Sequence, residues 1–345
     1  MNETAVNKKT DRNNTSASTE VTACIVQRPA VILDLSRSLQ LAIEYIAEAA
    51  SLGAQLVVFP ETWLTGYPAW VFGLAGWNDP EARNWFSRLV NSSPVITEDP
   101  STSDIAPILR AAKDNDVTVV MGLNERKSPK SGTLYNSFIV VDNDGKLLNT
   151  HRKLVPTHTE RIVWSQGDGR GLRVVETAHG RLGGLVCWEN WNPLARQTLH
   201  AQQEELHIAL WPDYPEIHHI ASRAYAFEGR TFVLSAAQYL HTDDLPSEIR
   251  EAYLAGVGPE APEEGILFDG GSSIIGPNGD CVAGPLRGEP GLLIARIDLN
   301  DRIAYMHDLD VAGHSSRPDI FNLTVDREHR SVLELHDNNN PTEND

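Results

Sequence analysis

The run Leu56-Val57-Val58-Phe59 constrains this chain most, because four apolar residues without polar alternation describe a strand covered on both faces. A helical pattern precedes it. Asp34 stands at the cap, and Leu35, Leu39, Ile43, Ile46 and Ala50 step by three or four until Gly53 ends the period. The alternation recurs down the chain. Strands are expected at Val21–Gln27, Val117–Leu123, Leu134–Val141, Lys146–His151, Leu172–Glu176, Arg181–Cys187, Ile208–Trp211, Thr231–Ala237, Ser272–Ile275, Cys281–Ala283 and Leu292–Ile297. Helices are expected from Asp79-Pro80, at Ser103–Lys113, at Pro193–Gln203 and at Ile217–Phe227. Strands buried on both faces need helices outside them, so the expectation is one layered α/β domain.

Composition narrows the partners. The 345 residues carry a formal net charge of −18, whereas nucleic acid and anionic membranes both require clustered Lys and Arg. Part of that acidity is local: Asp243 to Glu264 holds seven acids and the single base Arg250, as expected of a solvated surface excursion. Three widely spaced cysteines form no disulfide framework and no zinc spacing, which fits a reducing, cytoplasmic compartment. Residues 1–20 are polar and are expected to form a disordered tail, as is most of 326–345, leaving 21–325 as the domain. No apolar run approaches the length of a membrane span.

Three polar residues fall at expected strand ends: Glu61 after Leu56–Phe59, Lys153 after Lys146–His151, and Cys187 after the run LGGLV. Rigid strands aim residues at such positions into a common crevice. The types are complementary: a glutamate can take a thiol proton, a lysine can hold developing negative charge, and a cysteine can attack. Cys24 and Cys281 have no such company and are expected to be structural.

The surrounding residues carry a resemblance. Val58-Phe59-Pro60-Glu61-Thr62-Trp63, His151-Arg152-Lys153-Leu154-Val155-Pro156-Thr157 with Glu160-Arg161, and Cys187-Trp188-Glu189-Asn190 with Pro193-Leu194 resemble the three catalytic blocks of the nitrilase (carbon–nitrogen hydrolase) superfamily, in the family's order. The match runs from about Val21 to Val325, and Trp164–Gly169, Gly270-Gly271-Ser272 and His314 with Arg317-Pro318-Asp319 agree with it. The blocks CWEN and PTHTER are most similar to the true nitrilase branch. The resemblance implies a four-layer α-β-β-α sandwich, a homodimer that assembles further, and no metal or other cofactor. It implies Glu61 as general base, Lys153 as cationic stabiliser, Cys187 as nucleophile and Glu160 as the family's second glutamate. Ser165 and Ser315 depart from the common glycine and tyrosine.

The expected reaction is hydrolysis of an organic nitrile to a carboxylic acid and ammonia through a thioimidate and a thioester, with the backbone N–H of Trp188 steadying charge. Trp63, Tyr67, Trp164 and Trp191 are expected to line the substrate pocket, which favours aromatic or arylaliphatic nitriles. Rival readings are an amide hydrolase or a cyanide-hydrolysing enzyme on the same site. Others are a cysteine peptidase using His200, His207 or His218, a metal hydrolase recruiting His218 and His219, and a non-catalytic interaction module.

Overall fold

The computed structural model describes residues 19–257 and 265–328. The expected tails therefore lie almost wholly outside the described residues, as does the 258–264 part of the acidic stretch. In chain order the strands are β1 (Glu20–Gln27), β2 (Leu56–Leu64), β3 (Thr118–Arg126), β4 (Leu134–Val141), β5 (Leu147–Arg152), β6 (Val175–Thr177) and β7 (Gly180–Val186). They continue as β8 (Leu206–Trp211), β9 (Phe232–Ala237), β10 (Tyr239–His241), β11 (Ile266–Ile275), β12 (Cys281–Arg287) and β13 (Gly291–Asp298). The α-helices are α1 (Leu35–Ser51), α2 (Pro80–Ser92), α3 (Ala106–Asp114), α4 (Pro193–His200), α5 (Glu216–Gly229), α6 (Arg250–Val257) and α7 (Asp301–Tyr305).

The strands form two mixed sheets. One has the order β13-β1-β2-β3-β4-β5; the other runs β10-β11-β9-β8-β7-β6, with β12 paired to β11. Alternation along β1 sets the layers. Val21, Ala23 and Ile25 join Val186, Ile208 and Leu234 in the core between the sheets, while Cys24 and Val26 face Ala42 and Ile46 of α1. Ala195 and Leu199 of α4 and Ala221 and Tyr225 of α5 pack on the second sheet. The result is the expected α-β-β-α single domain. No described helix is long and apolar enough to cross a membrane.

Side-chain caps place the helices. Asp34 accepts from Arg37 N, Asp79 accepts from Glu81 N, and Asn192 accepts from Leu194 N. On α1 the most buried positions are Ser38, Ala42, Ile46 and Ala49, and Ile43 is exposed. Small residues along that line let the helix lie close on the sheet.

Two expectations fail. The strand thought to stop at Pro60 continues to Leu64. The acidic stretch is not simply solvated: Leu245, Ile249, Ala252 and Tyr253 are buried with Tyr67 and Trp70, and the Tyr253 hydroxyl donates to Tyr67 O at 2.6 Å. Asp243, Asp244, Glu248 and Glu251 are exposed while Leu245, Ile249, Ala252 and Tyr253 of the same segment are buried, a division that a charge count does not reveal.

Candidate active site

Glu61 is placed by an irregularity in β2. Phe59 pairs with Met121 and Leu64 with Leu123, so five steps on one strand oppose two on the other, and Thr62 sits at φ 46°. The displaced backbone presses on β3 at Gly122. A Cβ there would stand 2.0 Å from Pro60 O and 2.9 Å from Glu61 Cα, so only glycine admits the bulge. The bulge also breaks the alternation. Val57, Phe59 and Trp63 all join the core under α1, whereas Glu61 leaves that face and meets Lys153 of the first sheet's far edge.

Lys153 follows β5 directly. Its N–H donates to Asn136 O at 2.7 Å and its carbonyl accepts from Gly167 N at 2.9 Å, which fixes the exit. The ammonium donates to Glu160 Oε2 at 2.8 Å and to Glu61 Oε1 at 3.3 Å. Glu61 Oε1 also accepts from Asn136 Nδ2 at 2.6 Å. Glu160 is held in turn by Thr157 N at 2.6 Å and by the Tyr67 hydroxyl at 2.7 Å. Glu61 Oε2 is buried and has no hydrogen-bond partner among the described residues.

Cys187 directly follows β7 at φ 53°, a left-handed conformation that a cysteine adopts only where the surroundings impose it. A short 3₁₀ turn, Cys187–Trp191, starts there. Asn190 Nδ2 donates to Cys187 O at 2.9 Å, and His207 Nε2 lies 2.9 Å from Asn190 Oδ1 behind it. The thiol meets the two acids: one oxygen of Glu61, one of Glu160 and Cys187 Sγ all lie within 4.8 Å of one another. Lys153 is already bonded to both carboxylates, so its ammonium supplies the cation that this donor set would otherwise attract.

Electrostatics follow from burial. Glu61 is pushed up to about 8, chiefly by desolvation and further by Glu160, against the pull of Lys153 and the Asn136 bond. Desolvation alone would lower Lys153, but the surrounding Cys187, Glu61 and Glu160 raise it, so it stays an ammonium. Burial and Glu61 raise the Cys187 thiol well above its ordinary value, with Lys153 opposing. The site thus sets a thiol beside a carboxyl group that exchanges its proton near pH 8, with one fixed positive charge.

The other expected site residues divide. Tyr67 reaches the site through Glu160, and Trp164 packs against it with ring centroids 5.6 Å apart while donating to Asn124 Oδ1. Trp63 is a correction: it lies in the outer core against Phe59 and Tyr45, with Nε1 bonded to Arg28 O at 2.6 Å, because the bulge returns it to the helix side. Trp188 and Trp191 are 57% and 37% exposed beside the nucleophile. Cys24 is buried; Cys281 is exposed on β12, 3.8 Å from His219 Nε2. His200 and His207 pair with Glu204, and His218 stacks on Trp211 at 4.3 Å. Ser165 donates its N–H to Leu134 O, and Ser315 Oγ closes a local turn by accepting from Asp310 N. Missed in the sequence were Asn136, which bonds Glu61, and Gly122; the isolated glycine inside an apolar strand was the available signal.

Comparison with known proteins identifies the family. The carbon–nitrogen hydrolase family matches residues 22–306. Nitrilase 2 of Arabidopsis thaliana is 38% identical over 93% of this chain and 93% of its own length. An aliphatic nitrilase of Rhodococcus rhodochrous is 33% identical over 91% of this chain and 81% of its own. A bifunctional nitrilase/nitrile hydratase of Nicotiana tabacum, NIT4A, is 34% identical over 95% and 92%. Among solved structures, a carbon–nitrogen hydrolase from Helicobacter pylori G27 superposes with a TM-score of 0.64 at 18% identity, over 87% of this chain and 98% of its own. An amidase from Nesterenkonia sp. superposes with a TM-score of 0.59 at 22% identity, over 85% and 96%. The chain belongs to the carbon–nitrogen hydrolase family, on its nitrilase branch.

Proposed function

We propose that this protein hydrolyses organic nitriles to carboxylic acids and ammonia, with Cys187 as nucleophile, Glu61 as general base, Lys153 as cationic stabiliser and Glu160 as the acid that orients Lys153. One observation carries this reading: the unpartnered Glu61 Oε2 belongs to a carboxylate grouped with the Cys187 thiol around a buried ammonium. Glu61 takes the thiol proton as sulfur bonds to the nitrile carbon and one C–N π bond breaks. The nitrogen receives that proton, giving a thioimidate. Lys153 and the N–H of Trp188 hold the charge that develops. Water bonds to the carbon as Glu61 passes one of its protons to the nitrogen; the C–N bond then breaks, the remaining hydroxyl proton reaches the nitrogen, and ammonia leaves a thioester. A second water displaces the sulfur as the acid. Expulsion of sulfur before ammonia would release the amide.

The substrate side is read from the rings. Tyr67 stacks with Phe72 and meets Trp164 and Phe268 edge-on beside Glu160, which supports an aromatic or arylaliphatic nitrile. The exposed apolar residues Trp188, Trp191, Leu194, Ile217, Ile220 and Phe227 lie on the nucleophile turn and α4 and α5, which supports a homodimer formed through that face. Cysteine usage supports a cytoplasmic location. Ammonia release from phenylacetonitrile, benzonitrile, a short dinitrile, cyanide and the matching amides tests the reading. Nitrile turnover that disappears in Cys187→Ala supports it; turnover of amides or cyanide alone would replace it.

A further inference from the structure

Lys153 and Cys187 belong to different sheets. Lys153 leaves β5, the edge of the first sheet, and Cys187 leaves β7 of the second, and among the described residues no backbone ladder joins the two sheets. Their separation must therefore be set by side chains. One buried acid bridges the two exits. Glu189 Oε2 accepts from Val186 N at 2.8 Å, immediately before the nucleophile. Its Oε1 accepts from Leu154 N at 2.7 Å, immediately after the lysine. His151 Nε2, two residues before the lysine, lies 3.0 Å from Oε2 and 3.2 Å from Oε1. Gly171 closes the far side of that imidazole, where a Cβ would stand 2.5 Å from His151 Cα.

We propose that Glu189 is a positioning residue that ties the exit of β5 to the exit of β7 and so fixes Lys153 against Cys187. The proposal rests on the assignment of those two residues to the chemistry. The carboxylate suits the task because the two backbone donors arrive on opposite oxygens, and a carboxylate alone among side chains of this shape accepts on both sides. Burial would raise Glu189, but His151 and the two N–H groups hold it below its ordinary value, so it stays an anion that accepts only. An amide of the same volume must turn its NH₂ toward one of the two N–H groups. That exit then loses its anchor.

Glu189→Gln tests this at constant volume. The readouts are kcat and KM on the best nitrile, the thermal midpoint, and the pH profile of Cys187 alkylation by iodoacetamide. The account expects a folded protein, kcat reduced about 100-fold with KM within about threefold, since misplacement of about 1 Å costs that much. It also expects the alkylation profile displaced to higher pH, because a displaced ammonium stabilises the thiolate less. Wild-type kcat with a wild-type profile would overturn it. So would a lowered midpoint with the alkylation profile unmoved, which marks a merely structural role. His151→Asn keeps both backbone bonds and is expected to give a smaller displacement in the same direction; if Glu189→Gln does not fold, no displacement here would overturn the proposal. Alkylation needs no substrate, so an absence of nitrile turnover in the wild type would count against the proposed reaction and leave the test of Glu189 intact.

Discussion

Glu61 Oε1 lies 3.3 Å from Lys153 Nζ with both side chains fully buried, yet the ammonium does not bring the carboxyl down to its ordinary value. Glu160 already takes the shorter bond at 2.8 Å. Two carboxylates sharing one buried cation leave an uncompensated negative charge, and it is relieved most simply by a proton on Glu61. A base poised near neutrality beside the thiol follows from that imbalance.

The imbalance has a signature in stability. Glu61 is raised from 4.5 to about 8, so the folded state holds a proton that the unfolded chain releases. The stabilisation is fully present below about pH 4.5 and is lost as pH rises through about 8. Glu61→Gln is expected to flatten this part of the profile while reducing turnover about 10²–10⁴-fold. Thermal midpoints of both proteins from pH 5 to pH 9 check it. Parallel profiles would mean that Glu61 does not retain the proton.

Removing the cation should be costlier to the fold. Lys153→Ala leaves Glu61 and Glu160 facing each other without a counter-charge, and breaking a buried pair in this way costs about 3–5 kcal/mol. The loss should be smaller at pH 5 than at pH 8, because a proton on Glu61 removes one of the two stranded charges. Urea unfolding at the two pH values measures it, and activity should fall by at least about 10²-fold.

Tyr67→Phe removes one donor to Glu160 and nothing from Glu61. A hydrogen bond to a charged group is worth about 1.5–3 kcal/mol, so kcat/KM is expected to fall about 10- to 100-fold with the fold intact. A larger loss than Glu160→Gln causes would place Tyr67 against substrate rather than behind Glu160.

Gly122→Ala drives a methyl group into Pro60 O and should either flatten the β2 bulge or unfold the sheet locally. We expect a destabilisation of about 3 kcal/mol together with loss of activity. A stable, active variant would show that Glu61 does not depend on the bulge.

The layered fold was legible because periodicity reports which face of an element is buried: the capped α1, the apolar β2 and the hairpin before Lys153 all form near their expected positions. Lys153 and Cys187 stand just past β5 and β7 as expected, whereas Glu61 lies inside β2 rather than at its end. The bulge was not legible, because it depends on Gly122 in a neighbouring strand that sequence spacing does not connect to Pro60. Trp63 was misplaced in consequence, since plain alternation keeps it on the face of Glu61. The buried side of Leu245–Tyr253 was hidden beneath its charges, and Glu189 passed as part of a motif because its distant partners, His151 and Leu154, come from another segment of the chain.

The central claim is that Cys187 carries the substrate carbon. Rapid acid quench of the wild-type protein turning over a nitrile, followed by peptide mass spectrometry, tests it most directly. The account predicts a thioimidate or thioester adduct on the peptide containing Cys187, absent from Cys187→Ala. Steady ammonia release in Cys187→Ala, or an adduct confined to Cys24 or Cys281, would contradict it.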